Sequence, residues 1–257
     1  MTNPHGTPIW FELITSDPDA AGAFYAKVID WSVGSFDGAT VAGPEDYRVF
    51  SASDGEGVAG LMKIPDGAPP QPAWFGYVGV DDVDAAVAGI TAAGGSIQMP
   101  AITLEGVGRM AMVTDPQGVP FYVMKGASPE PSTAFKRMSL GHGEWNELST
   151  SDDAAALDFY AAQFGWKKDG AMPMGAMGDY SFLSHGGQMI GAVMRTPPGE
   201  QPRWNYFFRV GDIDEAETRI TDAGGTIRHG PIEVPGGDFV IYATDPQGAR
   251  FGVVGSR

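Results

Sequence analysis

The chain of 257 residues contains no cysteine. This excludes disulfides, thiolate metal sites and cysteine nucleophiles, and it is typical of a cytoplasmic protein. No apolar run approaches the ~20 residues that a membrane-spanning helix needs. The first six residues have neither a basic start nor a hydrophobic stretch, as a secretory signal would. The sequence therefore predicts a cytoplasmic protein with no membrane partner.

Basic residues are also scarce. There are 16 Lys and Arg against 32 Asp and Glu, which gives a formal net charge of −16. Such a surface repels phosphate backbones, so we expect no nucleic-acid partner. We interpret the acidity mainly as a source of solubility, with attraction of cationic ligands as the alternative. Hydrophobic residues make up 43% of the chain, which is enough for a sizeable core.

The chain contains an internal duplication. The block Trp10–Asp17 (WFELITSD) returns 135 residues later as Trp145–Asp152 (WNELSTSD). The block Thr114–Gly118 (TDPQG) returns 130 residues later as Thr244–Gly248, so the second copy is five residues shorter between the two blocks. We predict a first domain over 1–126, a linker over 127–137 and a second domain over 138–257, because the linker has a Pro-rich composition.

Each copy divides again into two units of strand, helix and three further strands. Apolar spacing predicts four helices, over Pro18–Ile29, Val83–Ala93, Asp153–Phe164 and Ile213–Ala223. An aspartate that can cap the first turn precedes each helix, namely Asp17, Asp81 or Asp82, Asp152 and Asp212. Glycine follows three of the helices, at Gly94, Gly165 and Gly224, as is usual for a left-handed C-terminal cap.

These motifs resemble the vicinal oxygen chelate superfamily, which includes glyoxalase I, extradiol dioxygenases and bleomycin-resistance proteins. The resemblance rests on Ala-x-x-Phe-Tyr in the first helix of each copy, Ala-Gly-Gly after the second helix, and Asp-Pro-Gln-Gly before the last strand. It implies an α+β fold of four βαβββ modules that form two glyoxalase-like domains, in which paired modules curl into an open cup. Family members pair modules within a domain or across domains, and the sequence leaves both arrangements open.

The resemblance also locates the positions at which metal-binding members carry His or Glu. In the first copy these positions fall on Trp10, Phe75 and Tyr122, and in the second on Trp145, Asn205 and Gly252. A further position lies among residues 60–62 and 192–194. None of these residues is a usual ligand of a divalent metal ion, so we expect no metal and no cofactor.

The motif Trp-x-Glu-Leu occurs in both copies and supplies the candidate catalytic residues, Glu12 and Glu147. Because side chains alternate along a strand, each Glu faces the cup together with Trp10 or Trp145. One interpretation is ligand anchoring or general acid–base chemistry with a raised pKa. The alternative is a structural Glu that is hydrogen-bonded to the backbone or to an Arg between modules.

The same alternation predicts the remaining ligand-binding residues, which are Phe75, Tyr77 and Tyr122 in the first copy and Asn205, Phe207 and Arg209 in the second. In the crossed arrangement of modules, Glu12 would meet Asn205 and Arg209. Trp74 and Trp204 have the opposite parity and should pack under a helix. Tyr47 and Tyr180 could face either side.

The leading hypothesis is a metal-free glyoxalase-like or bleomycin-resistance-like protein that binds a small organic molecule in an aromatic-lined cup. The alternative is a lyase or isomerase that acts on a small carbonyl compound, with Glu12 or Glu147 as base. A third hypothesis is an interaction protein without a ligand. Since one chain carries all four modules, we expect a monomer or a weak dimer.

Overall fold

The computed structural model describes residues 3–35, 46–67 and 70–257. These residues form two eight-stranded sheets and four α-helices, which confirms the predicted α+β architecture of βαβββ modules. The first half contains β1 (Pro8–Thr15), α1 (Pro18–Ile29), β2 (Ser32–Ser35), β3 (Arg48–Ser51), β4 (Gly57–Lys63), β5 (Ala73–Gly79), α2 (Val83–Ala92), β6 (Ser96–Leu104), β7 (Gly108–Thr114) and β8 (Pro120–Gly126). The second half contains β9 (Gly143–Thr150), α3 (Asp153–Phe164), β10 (Lys167–Pro173), β11 (Asp179–His185), β12 (Gln188–Arg195), β13 (Arg203–Asp212), α4 (Ile213–Asp222), β14 (Thr226–Glu233), β15 (Phe239–Thr244) and β16 (Arg250–Ser256).

The four helices begin where their aspartate caps predict. The side chains of Asp17, Asp82, Asp152 and Asp212 each accept a hydrogen bond from a backbone amide of the first turn. Helices α1 and α3 have the predicted bounds, whereas α2 and α4 each end one residue earlier. The glycines that follow three of the helices have positive φ, at Gly94, Gly165 and Gly224. Within the three described ranges, no helix is long and apolar enough to cross a membrane.

The order of strands shows which modules pair. The first sheet runs β2-β3-β4-β1-β5-β8-β7-β6, and the second repeats this order as β10-β11-β12-β9-β13-β16-β15-β14. At the centre of the first sheet β1 and β5 are antiparallel, and each has a parallel neighbour, β4 or β8. The modules therefore pair within each half about an approximate twofold axis, which resolves the question that the sequence left open.

The helical sides of the two sheets pack against each other. Helix α1 shares one hydrophobic core with β13, α4 and β16 of the second half, and α3 shares another with β5, α2 and β8 of the first half. Trp74 of the first half and Trp204 of the second lie on this side, as predicted. The segment predicted as a linker is also packed, since Ala134 is fully buried and the Ser132 hydroxyl donates to the Ile9 carbonyl.

Two reciprocal hydrogen bonds join the halves through the duplicated motifs. The Tyr25 hydroxyl of α1 donates to Asp245 in the second Asp-Pro-Gln-Gly turn at 3.1 Å. The Tyr160 hydroxyl of α3 donates to Asp115 in the first such turn, also at 3.1 Å. Each aspartate accepts backbone amides of its own turn with its other oxygen. The motifs that reveal the duplication are thus the motifs that dock one half on the other.

We expect Tyr25→Phe and Tyr160→Phe each to lower the free energy of unfolding by about 1–2 kcal/mol, because a buried acceptor loses its donor. Because the cores are shared, the whole chain should unfold in one transition that either substitution shifts. The measurement is urea denaturation followed by tryptophan fluorescence and far-UV circular dichroism. Two separate transitions, of which only one moves, would contradict this prediction.

Candidate functional site

The face of each sheet opposite the helices carries the residues predicted to line a cup, and the name cup is kept for this face. In the first cup Tyr77 and Tyr122 stack with ring centroids 4.3 Å apart, and Phe75 meets Tyr122 edge to face. Trp10 and several methionines complete the same apolar cluster, namely Met99, Met110, Met112 and Met124. The residues predicted to line this cup are therefore brought together, with sulfur side chains added to the aromatic walls.

Glu12 lies at the base of the first cup and is only 2% exposed. Its Oε2 atom accepts hydrogen bonds from the hydroxyls of Tyr47 at 3.1 Å and Tyr77 at 3.3 Å. Its Oε1 atom is buried and has no hydrogen-bond partner within the described part of the chain. A Cβ atom at Gly60, the neighbour of Glu12 on β4, would lie 2.3 Å from this oxygen. Glycine at this position leaves the space that the carboxyl group occupies.

Burial raises the pKa of Glu12 to about 8, and the hydrogen bonds from Tyr47 and Tyr77 offset this only in part. The carboxyl group is therefore mainly protonated at neutral pH. Burial also raises the pKa of both tyrosines, which keeps them as phenols that donate to Glu12. Because a protonated carboxyl group donates one hydrogen bond, Glu12 can offer a donor to an acceptor in the cup.

Glu147 occupies the equivalent position in the second cup and is also 2% exposed. Its Oε2 atom accepts from Tyr180 at 2.9 Å and from Tyr242 at 2.7 Å, and its Oε1 atom accepts from Asn205 Nδ2 at 3.0 Å. Burial raises the pKa of Glu147, while the hydrogen bonds from Tyr242, Tyr180 and Asn205 lower it. Unlike Glu12, this carboxylate has a donor for each oxygen.

A few exchanged residues account for the difference between the cups. Tyr77, which donates to Glu12, is replaced by Phe207, and Phe75 is replaced by Asn205. Tyr122, which stacks on Tyr77, corresponds to Gly252. A Cβ atom at Gly252 would lie 2.1 Å from the Phe207 ring, so the glycine makes room for that ring.

The register of the central strands shows which residues of four strands lie level with one another. Glu12 pairs with Gly60 and Tyr77 pairs with Tyr122, and the local twofold axis relates these two pairs. Trp10 and Phe75, on which the resemblance places the ligand positions, lie two residues from Glu12 and Tyr77 along the same strands. The corresponding set in the second cup is Glu147, Ala192, Phe207 and Gly252.

These donors do not fit a divalent metal ion. Each level set holds a single carboxyl group, whereas such an ion commonly takes two histidines and one or two carboxylates. Within residues 3–35, 46–67 and 70–257, no group of three or more His, Asp or Glu side chains could hold a metal.

The indole groups of the repeated motif support the tyrosines rather than the carboxyl groups. Trp10 hydrogen-bonds Tyr47, and Trp145 Nε1 donates to Tyr180 at 2.9 Å. Within the described ranges the hydrogen-bond partners of Glu12 and Glu147 are tyrosines and Asn205 rather than the backbone or an arginine, which corrects the partners named in the structural alternative.

Arg209 is the predicted ligand-binding residue that the structure places elsewhere. It forms an ion pair with Asp238 and borders a crevice between the halves that includes Asp30 and Leu140. It does not meet Glu12, as the crossed arrangement would require, because the modules pair within each half. Asn205 likewise binds Glu147 rather than Glu12.

Sequence reasoning missed Tyr242 and left Tyr47 and Tyr180 unassigned. Tyr47, just before β3, and Tyr180, in β11, occupy equivalent positions of the two copies, and this recurrence was a usable signal for the cup. Tyr242 corresponds to Met112 in the first copy, so the duplication carried no signal for it.

Comparison with known proteins identifies the family to which the chain belongs. The model of the Glyoxalase/Bleomycin resistance protein/Dioxygenase superfamily matches residues 7–123 and 140–253. A protein of Mycobacterium bovis named "Putative glyoxylase CFP32" is 34% identical over 97% of this chain and 94% of its own length. "Anthracycline biosynthesis protein DnrV" of Streptomyces peucetius is 32% identical over 98% of this chain and 94% of its own length.

Among solved structures, the Mn(II)-bound glyoxalase from Novosphingobium aromaticivorans superposes with a TM-score of 0.70 at 20% identity, over 98% of this chain and 83% of that chain. The 2,3-dioxygenase LapB from Pseudomonas sp. KL28 gives a TM-score of 0.66 at 16% identity, over 98% and 93% of the two chains. At these identities the structures show a shared fold.

Replacement of Glu12 and of Glu147 by glutamine should change the stability of the folded protein in opposite directions. Between about pH 4.5 and pH 8 the unfolded chain loses the Glu12 proton while the folded chain keeps it, so folded-state stability falls as pH rises. Glu12→Gln does not titrate, and at pH 8 it should be more stable than the wild type by an amount on the order of a few kcal/mol.

Glu147→Gln is the matched control, because it replaces one of two oxygens that each accept a hydrogen bond with an NH₂ group that cannot accept one. It should lower the free energy of unfolding at pH 8 by about 1–3 kcal/mol. Both effects are measured by urea denaturation at pH 5 and pH 8. Equal behaviour of the two variants would contradict the assigned difference between the cups.

Proposed function

Because the chain belongs to the Glyoxalase/Bleomycin resistance protein/Dioxygenase superfamily, we propose that it binds a small aromatic carbonyl compound in its first cup. The observation that carries this proposal is the buried Oε1 atom of Glu12, which has no partner in the described residues and belongs to a carboxyl group with a pKa of about 8. A buried polar atom without a partner costs about 1–3 kcal/mol, and the carbonyl oxygen of a ligand would recover this cost.

The walls of the first cup suit a flat apolar ligand. Trp10 and Phe75 are partly exposed beside the buried, stacked rings of Tyr77 and Tyr122, while the methionines adapt to irregular shapes and make favourable contacts with aromatic rings. A small-molecule site usually combines such apolar walls with a few polar groups that fix orientation. Glu12 would supply the orienting group here.

The relatives support a small organic ligand. Their names refer to anthracycline biosynthesis and to a glyoxylase, and both proteins match this chain over nearly its full length. One family scaffold hosts several chemistries, so the choice between binding and catalysis rests on the cup itself.

A second candidate function is proton transfer on a small carbonyl compound by a lyase or an isomerase. It is favoured by the pKa of Glu12, because a carboxyl group with a pKa of about 8 exchanges protons readily near neutral pH. In this reaction the carboxylate form of Glu12 would take a proton from the carbon beside the carbonyl group to give an enolate, and the protonated Glu12 would return a proton to the same carbon or to the enolate oxygen. The same atom and the same cup serve both candidate functions.

The binding proposal is tested with 9-fluorenone, a flat ketone that does not titrate, and with fluorene, which lacks the carbonyl group. Fluorenone should quench tryptophan fluorescence saturably at pH 6.5 and should bind at least about tenfold more weakly at pH 9.5, where Glu12 is ionised. Fluorene should bind more weakly than fluorenone at pH 6.5. Glu12→Gln should keep fluorenone binding without this pH dependence, because its amide still donates.

Glu147→Gln is the control and should keep the wild-type pH profile of fluorenone binding. Equal affinities for fluorene and fluorenone would overturn the proposal, as would an unchanged pH profile in Glu12→Gln.

The catalytic alternative is tested with 2-indanone, whose protons beside the carbonyl group exchange with solvent on enolisation. In D₂O at pH 8 the protein should accelerate loss of the methylene NMR signals over buffer alone. Glu12→Gln should reduce this acceleration by about 100-fold or more, while Glu147→Gln should keep it. No exchange above the buffer rate would rule out this alternative and leave binding in place.

A further inference from the structure

A cluster of three arginines lies at one end of the second cup, beside the Glu147 site. Arg203 is the first residue of β13, Arg250 is the first residue of β16, and Arg228 lies in β14. Arg203 is two residues before Asn205, which contacts Glu147 in the cup, so both side chains lie on the same face of the sheet. The charge of Arg203 also acts on Glu147, which places the cluster next to that site.

All three arginines converge on one carboxylate, Glu200, in the loop before β13. Nη1 of Arg203 lies 2.9 Å from a Glu200 oxygen, Nη2 of Arg228 lies 3.8 Å away, and Arg250 also pairs with it directly. Among the described residues, no other carboxylate forms an ion pair with these arginines. The cluster therefore carries about two excess positive charges in a chain whose net charge is −16.

This concentration of charge is unfavourable for the fold alone. Burial and the like charge of Arg250 lower the pKa of the Arg203 guanidinium, and Arg228 adds to this repulsion. The fold does not require the arginines, because the equivalent positions in the first half are the uncharged residues Ala73, Gln98 and Pro120. The arginines thus belong to the second cup rather than to the shared scaffold.

We infer that the arginine cluster binds the phosphate group of a small aromatic phosphate monoester. Such a phosphate carries about two negative charges at neutral pH, which matches the excess charge of the cluster, and planar guanidinium groups bind phosphate oxygens in pairs. The adjoining floor of the cup is aromatic, with Phe207 and Tyr242 packed edge to face and Trp145 opposite Phe207 on β9. Glu200 holds the arginines together and competes with the ligand for them.

The test is isothermal titration of the full chain with phenyl phosphate and, separately, with inorganic phosphate at pH 7.5 and low salt. Phenyl phosphate should bind saturably and more tightly than inorganic phosphate. Arg228→Gln and Arg250→Gln should each weaken binding about tenfold, because each removes one charged donor. Glu200→Gln should strengthen binding several-fold, because it removes the competing charge.

Arg195→Gln is the matched control, since Arg195 is an exposed arginine of the same half that pairs with Asp153, and it should leave binding unchanged. Arg228→Lys keeps the charge and the exposed position, so it should retain more affinity for phenyl phosphate than Arg228→Gln.

No saturable binding of phenyl phosphate by the wild type would overturn the inference, as would equal weakening by Arg195→Gln and Arg228→Gln. Equal affinities for the two phosphates would overturn the role of the aromatic floor. Fluorenone binding in the first cup should be unaffected by Arg228→Gln, so this inference and the proposed function can fail separately.

Discussion

The reciprocal docking of a helix tyrosine on the turn aspartate of the opposite half is the contact on which the rest of the structure depends. Tyr25 with Asp245, and Tyr160 with Asp115, lie inside the two hydrophobic cores, where each aspartate also stabilises its own turn. The bonds orient the helical sides of the sheets toward each other. Because the helical sides of both sheets are buried in the shared cores, the opposite faces of the sheets are the ones that can bind a ligand.

Each cup contains a carboxyl group that burial disfavours in its charged form. The two cups reduce this desolvation penalty in different ways. In the second cup three donors surround Glu147, which resembles the way structural carboxylates are satisfied in protein interiors. In the first cup only Oε2 of Glu12 is satisfied, and the group keeps its proton up to about pH 8. Both oxygens of the carboxyl group accept hydrogen bonds in the second cup and only one does so in the first, and such incomplete satisfaction is a common mark of a binding site.

Local patterns were sufficient to predict the modules, because helix caps and turn residues act within a few positions of the chain. Asp17 and Asp152 cap the helices that the apolar spacing predicts, and both Asp-Pro-Gln-Gly segments form turns. Strand alternation likewise placed Tyr77 and Tyr122 in the cup. These inferences need only short-range geometry.

The remaining features depend on which strands become neighbours, and no local pattern specifies this. The alignment of Glu12 with Gly60 follows from the register between the parallel strands β1 and β4, which are far apart in the sequence. The position of Arg209 follows from its pairing with Asp238, which is 29 residues away in the sequence. The free oxygen of Glu12 depends on Gly60, whose role is visible only when β4 lies beside β1.

The Tyr–Asp docking is isologous. Each repeat donates a hydrogen bond from its helix tyrosine and accepts one, from the tyrosine of the other repeat, with its turn aspartate. A single repeat carries both halves of this self-complementary surface, so two identical copies would satisfy it as a symmetric pair. When the two copies are joined in one chain, the contact is kept, but the copies no longer share one sequence. Their cups can therefore differ. Tyr25, Asp115, Tyr160 and Asp245 are constrained by one another across the interface, whereas the outward faces are not. The covalent fusion therefore allows one polypeptide to hold two non-equivalent cups on a symmetric frame.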